Sequence, residues 1–138
     1  MPAKDVFNEI VKTALTEDGW TITEDPLFFQ FGEDQVFIDL GAERLIAAQR
    51  EEEKIAVEIK SFLAPSALSE FHTALGQFLN YRLILQVKQP DRVLYLAIPE
   101  EAYTYFFKRQ LPQLVVREYR MKLLVFDPIN EVIVQWID

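Results

Sequence analysis

A short apolar strand, a long amphipathic helix and a second apolar strand follow one another in the middle of the chain, and this order constrains the fold most. Residues 55–59 are apolar apart from one charge, and a helix pattern extends from the cap candidate Ser66 to about Val87. Residues 92–98 form the next strand pattern. The helix residues that we expect to face the core are Leu68, Phe71, Leu75, Phe78, Leu79 and Leu83.

The first sixty residues predict one helix followed by extended segments. The helix is expected near residues 5–15, where an apolar stripe at helical spacing follows Asp5 as a cap. A strand over residues 20–24 should come next. The turns that separate the extended segments are expected at Asp25-Pro26, residues 32–34, Gly41 and residues 51–53.

Two hairpins and a second short helix complete the predicted elements. The short helix opens at Pro99 and ends near Arg109, with acidic residues first and basic residues last, as the helix dipole favours. The hairpin strands are expected over residues 45–48 and 55–59 and, near the C-terminus, over residues 121–126 and 132–137. The order of elements predicts an α/β fold in which helices flank a mixed central sheet.

Length and composition favour one compact unit. The chain has 138 residues, 50% of them hydrophobic, which is enough for one core, so we expect a single domain over residues 1–138. Cysteine is absent, which excludes disulfides, zinc-thiolate sites and thiol nucleophiles. No apolar run approaches the roughly 20 residues of a membrane span, and the start of the chain lacks a signal-peptide pattern. We therefore expect a soluble, cytoplasmic protein without a membrane partner.

The charge is negative overall and unevenly distributed. A net charge of -8 argues against a protein that coats nucleic acid by charge alone, because such affinity comes from neutralised phosphates. Residues 1–59 carry 14 acidic and 5 basic side chains, whereas residues 60–138 carry 8 and 9. A nucleic-acid surface should therefore lie mostly in the second half, although acidity that simply aids solubility explains the imbalance about equally well.

Glu58 and Lys60 are opposite charges on an otherwise apolar strand. Side-chain alternation places both on one face, opposite a core face formed by the aliphatic residues of the strand. The spacing alone is weak evidence, since Glu52 and Lys54 repeat it in the preceding turn. An ion pair at a sheet edge and a functional site both remain open at this point.

Asp39 ends an apolar segment just ahead of the predicted hairpin. If the hairpin pairs in register, this aspartate and Glu58 converge. Two carboxylates, completed by a backbone carbonyl and waters, suit a hard divalent cation such as Mg²⁺. A lysine at the same place can orient a water and stabilise charge on a phosphoryl group. The alternative interpretation of Asp39 is an ordinary turn residue before Gly41.

The order of motifs along the chain resembles the PD-(D/E)XK nuclease superfamily. It consists of an Asp, a hairpin, Glu-x-Lys on an apolar strand and a following helix. The resemblance implies a restriction-endonuclease-like fold with an αβββαβ core, Mg²⁺ or Mn²⁺ held by Asp39 and Glu58, and water handled by Lys60. It also assigns supporting roles to Glu9 in the first helix and to Gln77 in GQFLNY, on the helix face that Tyr81 shares. Ile38 departs from the pattern, because a proline often precedes the aspartate.

Three longer segments resemble the XisH family, named for factors that control excision of the fdxN element in cyanobacteria. They are FNEIVKTALTEDGW, DLGAERLIAAQREEEKIAVEIKSF and ALGQFLNYR. The resemblance implies a role in site-specific excision of a DNA element, with DNA, a recombinase and an XisI-like companion protein as partners. Small nuclease-fold domains also often dimerise, so a homo-oligomer is a further expectation.

Three functional hypotheses follow. The first is a metal-dependent endonuclease acting in element excision. The second is a catalytically inactive regulatory protein that keeps the fold and binds a companion or recombinase, and the third is a nuclease held in check by its companion, as in toxin and antitoxin pairs.

Other residues offer weaker signals. The aromatic residues of AYTYFFKRQ are candidates for stacking on bases, although core packing is favoured for Phe106 and Phe107. Arg117, Arg120 and Lys122 are candidates for phosphate contacts or a solvated face.

Overall fold

The computed structural model describes residues 4–46 and 51–138. Its helices are α1 (Asn8–Glu17), α2 (Ala67–Lys88), α3 (Glu100–Tyr105) and α4 (Gln110–Glu118). Its strands are β1 (Thr21–Glu24), β2 (Leu27–Phe31), β3 (Asp34–Ile38), β4 (Leu40–Ile46), β5 (Glu51–Ile59), β6 (Arg92–Pro99), β7 (Leu123–Asp127) and β8 (Val132–Ile137).

A six-stranded mixed sheet is the centre of the fold. Its strand order is β1-β4-β5-β6-β7-β8, and β2 and β3 pair separately as a two-stranded hairpin. β5, β6 and β7 run parallel to one another, whereas the pairs toward both edges are antiparallel. A long helix connects β5 to its parallel neighbour β6, as a parallel pair requires. The predicted mixed α/β architecture with flanking helices is therefore confirmed.

Helix α2 begins where the sequence predicts. The Ser69 N–H donates to the Ser66 side-chain oxygen at 3.1 Å, which caps the first turn. The residues of α2 that are buried are Phe71, Ala74, Phe78 and Leu85. Leu83 was expected in this stripe but is 61% exposed, because it lies two residues before Leu85 and so on the opposite side of the helix. Leu68, in the first turn, is 42% exposed and is also outside the core.

Strand β5 is buried on both faces, which corrects the expectation of one core face and one wet face. Ile55 and Val57 pack in the cluster that contains α1, whereas Ala56 packs against α2. Glu58, on the α2 face, is only 6% exposed. The reason is that β5 is an interior strand of the sheet, with helices on both sides. Alternate side chains of β5 therefore point to two different buried faces.

Two predicted turns are strand residues instead. Gly41 lies inside β4, and a Cβ atom there would stand 3.0 Å from the Cβ of Glu24 on the neighbouring strand β1. Close approach of strands, and not a turn, therefore explains this glycine. Residues 51–53 begin β5, because the strand extends four residues before the predicted start. Part of the predicted strand over residues 45–48 lies outside the described residues.

The C-terminal third contains one element that the sequence pattern did not predict. Helix α3 ends at Tyr105, before the expected end near Arg109, and α4 then follows. Pro112 occupies the first turn of α4, where a proline is tolerated. The final hairpin of β7 and β8 forms as expected. Within residues 4–46 and 51–138, no helix is long and apolar enough to cross a membrane.

Candidate functional site

Asp39 and Glu58 lie opposite each other where β4 begins and β5 ends. In the antiparallel register Leu40 pairs with Val57. Asp39 directly precedes Leu40 and Glu58 directly follows Val57, so the two acids are neighbours across the strands. Two backbone-to-side-chain hydrogen bonds join the two strand ends here. The Asp39 N–H donates to Glu58 Oε1 at 3.2 Å, and the Ile59 N–H donates to Asp39 Oδ2 at 2.8 Å.

Lys60 completes a compact charged group. Its Nζ is 3.7 Å from Glu58 Oε2, and its side chain is 18% exposed. Its backbone N–H donates to the Ala97 carbonyl at 3.0 Å, which holds the residue against β6 just beyond the end of β5. The ammonium is therefore fixed next to the carboxylates and still reaches solvent.

The pKa values of both carboxyl groups are raised, because their charged forms are destabilised. Burial, followed by the negative charge of Asp39, raises the pKa of Glu58 to about 8, while Lys60 opposes the shift. Burial is also the main cause that raises the pKa of Asp39. Two acids that are costly to ionise together are stabilised by any cation that enters between them.

The carboxylates and Lys60 line an open cavity of about 250 Å³. Gln77 and Tyr81 reach it from the same face of α2. Within the described part of the chain, Gln77 Oε1 is buried without a hydrogen-bond partner, whereas most buried polar groups have one. Burial, with the charges of Glu58 and Asp39, raises the pKa of Tyr81 to about 12, so its hydroxyl stays a proton donor.

The acid of the N-terminal segment that reaches the site is Asp5, which precedes α1, and not Glu9. The Glu9 side chain is 76% exposed and pairs with Lys12 at 3.2 Å, and it does not line the cavity. Asp5 lines it, and its carboxylate accepts hydrogen bonds from the N–H groups of Phe7 at 2.9 Å and Ser61 at 3.2 Å. The sequence signal for Asp5 was its cap-like position before the helix, which pointed only to a structural role.

Oxygen donors at the cavity suit a hard divalent cation. Asp39 and Glu58 supply two anionic ligands, and Mg²⁺ usually takes only one or two protein carboxylates and fills its remaining positions with water and phosphate oxygens. Among the residues that the structure describes, no three His, Cys, Asp or Glu side chains form a metal-binding group. The two carboxylates are of the ligand type that such a cation takes.

The other sequence candidates lie elsewhere. Phe106 and Phe107 are core residues, 4% and 0% exposed. Arg117, Arg120 and Lys122 line one separate cavity, and Arg120 and Lys122 also line another that includes Arg82 of α2. These basic residues thus remain candidates for phosphate contacts outside the carboxylate cavity.

Comparison with known proteins identifies the family. The sequence model of one family, described as XisH protein, matches residues 1–134. The chain belongs to the XisH family. A comparison with curated proteins gives no significant match.

Two solved structures extend the match to three dimensions. A crystal structure of an XisH family protein from Nostoc punctiforme is 51% identical, with a TM-score of 0.89, and the alignment covers 97% of this chain and 100% of that one. A crystal structure of an fdxN element excision controlling factor protein from Anabaena variabilis is 52% identical, with a TM-score of 0.88 and coverage of 98% and 100%. The XisH fold described above is thus shared along nearly the whole chain.

Proposed function

We propose that this XisH-family chain is a divalent-metal-dependent endonuclease with a restriction-endonuclease-like fold, acting on DNA during excision of a DNA element. The observation that carries the proposal is the convergence of Asp39, Glu58 and Lys60 in one cavity at adjacent strand ends. A buried and a partly buried acid with a lysine beside them are side chains that can hold a cation and stabilise charge during hydrolysis of a phosphodiester.

Asp39 and Glu58 are the residues that would hold Mg²⁺ or Mn²⁺. The bound cation would supply positive charge for the phosphate and lower the pKa of a coordinated water. In the absence of a cation the raised pKa of Glu58 keeps a proton in the site at neutral pH. Cation binding should therefore release this proton.

Lys60 and Gln77 act on the substrate side of the same cavity. Hydrolysis breaks one phosphorus–oxygen bond, with the hydroxide of water added to phosphorus and a proton to the leaving oxygen. The Lys60 ammonium stabilises the negative charge that develops on the phosphoryl oxygens. Gln77 lines the cavity, and its side-chain amide would orient the attacking water by a hydrogen bond.

The biological setting of the proposal comes from the family. The Anabaena variabilis relative is an fdxN element excision controlling factor protein, and we extend that role to this chain. The proposed partners are DNA, a site-specific recombinase and an XisI-like companion protein, with self-association as a means of reaching both strands, and the cytoplasm is the proposed location.

Nicking of supercoiled DNA in Mg²⁺ or Mn²⁺ tests the activity. Wild type should convert the supercoiled form to nicked or linear DNA, and Lys60→Met should lower the rate at least 100-fold. Glu9→Gln is the matched control, because Glu9 is exposed and outside the cavity, and it should cut at the wild-type rate. Equal rates for Lys60→Met and Glu9→Gln would contradict the proposal.

A second candidate function is regulatory binding without catalysis. It is favoured by the hydrogen bonds from the Asp39 N–H to Glu58 and from the Ile59 N–H to Asp39, because these bonds also join the start of β4 to the end of β5 and so have a structural use. Under this alternative the purified protein cuts no DNA or RNA with any divalent metal but forms a stable complex with its companion. Cleavage that depends on Lys60 would exclude it.

A further inference from the structure

An apolar cavity of about 310 Å³ adjoins the carboxylate cavity. Asp5 lies between them: it lines the carboxylate cavity, and it accepts hydrogen bonds from the backbone of Phe7 and Ser61, which both line the apolar one. Ser61 also directly follows Lys60 in the chain. The two cavities therefore share this stretch of backbone as a common wall.

Aromatic rings form the inner part of the apolar cavity. Phe62 stacks on Phe106 with ring centroids 5.8 Å apart and an interplanar angle of 28°. The backbone of Phe62 has a φ of +55°, a conformation that is costly for a bulky side chain. The Phe62 N–H donates to Glu70 Oε1 at 3.1 Å, which holds it there. Strain of this kind persists where the surrounding structure fixes it, often next to a binding site.

The outer part of the cavity carries one exposed ring and two charges. Tyr105 is 71% exposed, and Glu101 and Arg109 line the cavity as an acceptor and a donor. The Arg109 guanidinium also lies 5.4 Å from the Phe106 ring centre. An apolar interior with a few polar groups at its rim is the usual composition of a small-ligand pocket, and the volume is at the lower end of that range.

We propose that this apolar cavity holds an unpaired nucleobase of a nucleic-acid strand whose phosphate lies at Lys60. The inference rests on the proposed function, because phosphodiester chemistry in the adjacent cavity is what brings a base within reach. A base offers a flat face for Phe62 and Tyr105 and a hydrogen-bonding edge for Glu101 and Arg109.

The charge of the chain favours a base over a duplex backbone at this place. With a net charge of -8 the protein gains little from general attraction to phosphates, so stacking must supply much of the affinity. An apolar side chain of a partner protein is the competing occupant, but it would use neither the acceptor of Glu101 nor the donor of Arg109 at the rim, and it would have no reason to lie beside Lys60.

Binding of a fluorescent single-stranded DNA in EDTA, followed by anisotropy, tests the inference. The proteins to compare are wild type, Tyr105→Ala and the control Tyr119→Ala, whose tyrosine is 44% exposed and does not line the cavity. Tyr105→Ala should weaken binding about 10-fold to 100-fold, because stacking of one base is worth about that factor. Tyr119→Ala should bind as wild type does. Both side chains are exposed, so both variants should fold.

Photo-crosslinking to a strand that contains 5-iododeoxyuridine is the second measurement. The inference predicts adducts on Tyr105 or Phe62. Equal affinity of the wild type and both variants, or adducts only outside the cavity, would overturn it. Unchanged strand binding by Tyr105→Ala, combined with loss of a complex with another protein, would also overturn it and would show a protein-docking pocket instead.

The two proposals fail in different ways. If wild type binds no Mn²⁺ and cuts no DNA, but strand binding still depends on Tyr105, the nuclease proposal fails and the base pocket stands. If wild type cuts DNA and Tyr105→Ala binds and cuts equally well, the base pocket alone fails. Glu58→Gln should lose metal binding and keep Tyr105-dependent strand binding.

Discussion

The carboxylate of Glu58 accepts a hydrogen bond from the backbone N–H of Asp39 at 3.2 Å, so the two acids are held together by the strand ends that carry them. Because β4 and β5 pair in a fixed register, the distance between the acids is set by the sheet. Cation binding should then need little rearrangement. The energetic cost appears in the metal-free protein, in which the buried Glu58 and the partly buried Asp39 are difficult to ionise together.

The first prediction concerns the pH dependence of the metal-free protein. Burial and Asp39 raise the pKa of Glu58 from 4.5 to about 8, so the folded state binds more protons than the unfolded state between these pH values. The free energy of unfolding should therefore fall as pH rises from about 4.5 to 8, by on the order of 5 kcal/mol, and level off above it. Urea unfolding in EDTA at several pH values measures this.

Glu58→Gln is the matched variant for this prediction. Its amide oxygen can still accept the Asp39 N–H, but it has no charge to lose or gain. Much of the pH-dependent fall should disappear, and at pH 8 the variant should be at least as stable as wild type. The same fall in both proteins would show that Glu58 is not the responsible group.

The second prediction uses two glycines in contrasting surroundings. A Cβ at Gly41 would meet Glu24 atoms at 3.0 and 3.1 Å and an Arg92 nitrogen at 3.2 Å, so Gly41→Ala should lower the free energy of unfolding by about 1–3 kcal/mol. Gly76 is solvent-exposed and lies in the middle of α2, and a Cβ there would meet nothing within 4 Å. Gly76→Ala should therefore raise it by roughly 0.5–1 kcal/mol. Chemical denaturation of both variants decides, and equal effects would contradict the close approach of β1 and β4.

The third prediction concerns the start of α2. Ser66→Ala removes the side-chain oxygen that accepts the Ser69 N–H and should cost about 1 kcal/mol. The side chain of Ser69 itself is exposed and makes no such contact, so Ser69→Ala should change the free energy of unfolding by less than about 0.5 kcal/mol. Thermal unfolding of the two variants gives the comparison. A Ser66→Ala variant as stable as Ser69→Ala would show that this cap is not used in solution.

The sequence predicted the elements correctly where the hydrophobic periodicity was strong. It also predicted strand pairing where the two strands are close together in the chain. The limits of α2 and β6 follow from a capping serine and a long apolar period. The meeting of Asp39 and Glu58 follows from pairing of adjacent strands, although their proposed roles came from resemblance.

Tertiary packing decided what the sequence did not show. Burial of both faces of β5 depends on α1, which is distant in the chain, and alternation within one strand cannot reveal it. The position of Asp5 at the site depends on a contact with Ser61, 56 residues away. Helix α4 was missed because Pro112 in its first turn resembles a breaker until its position in the helix is known.

Titration of metal-free protein with Mn²⁺ by isothermal calorimetry tests the central claim most directly. We expect one site in wild type, unchanged affinity in Glu9→Gln, and binding weakened by about 10-fold or more in Glu58→Gln, since the removed carboxylate is one of the two proposed anionic ligands. It also predicts proton release on binding near pH 7, seen as a dependence of the heat on buffer ionisation enthalpy. Equal Mn²⁺ affinity in Glu58→Gln and wild type would contradict a metal site between Asp39 and Glu58.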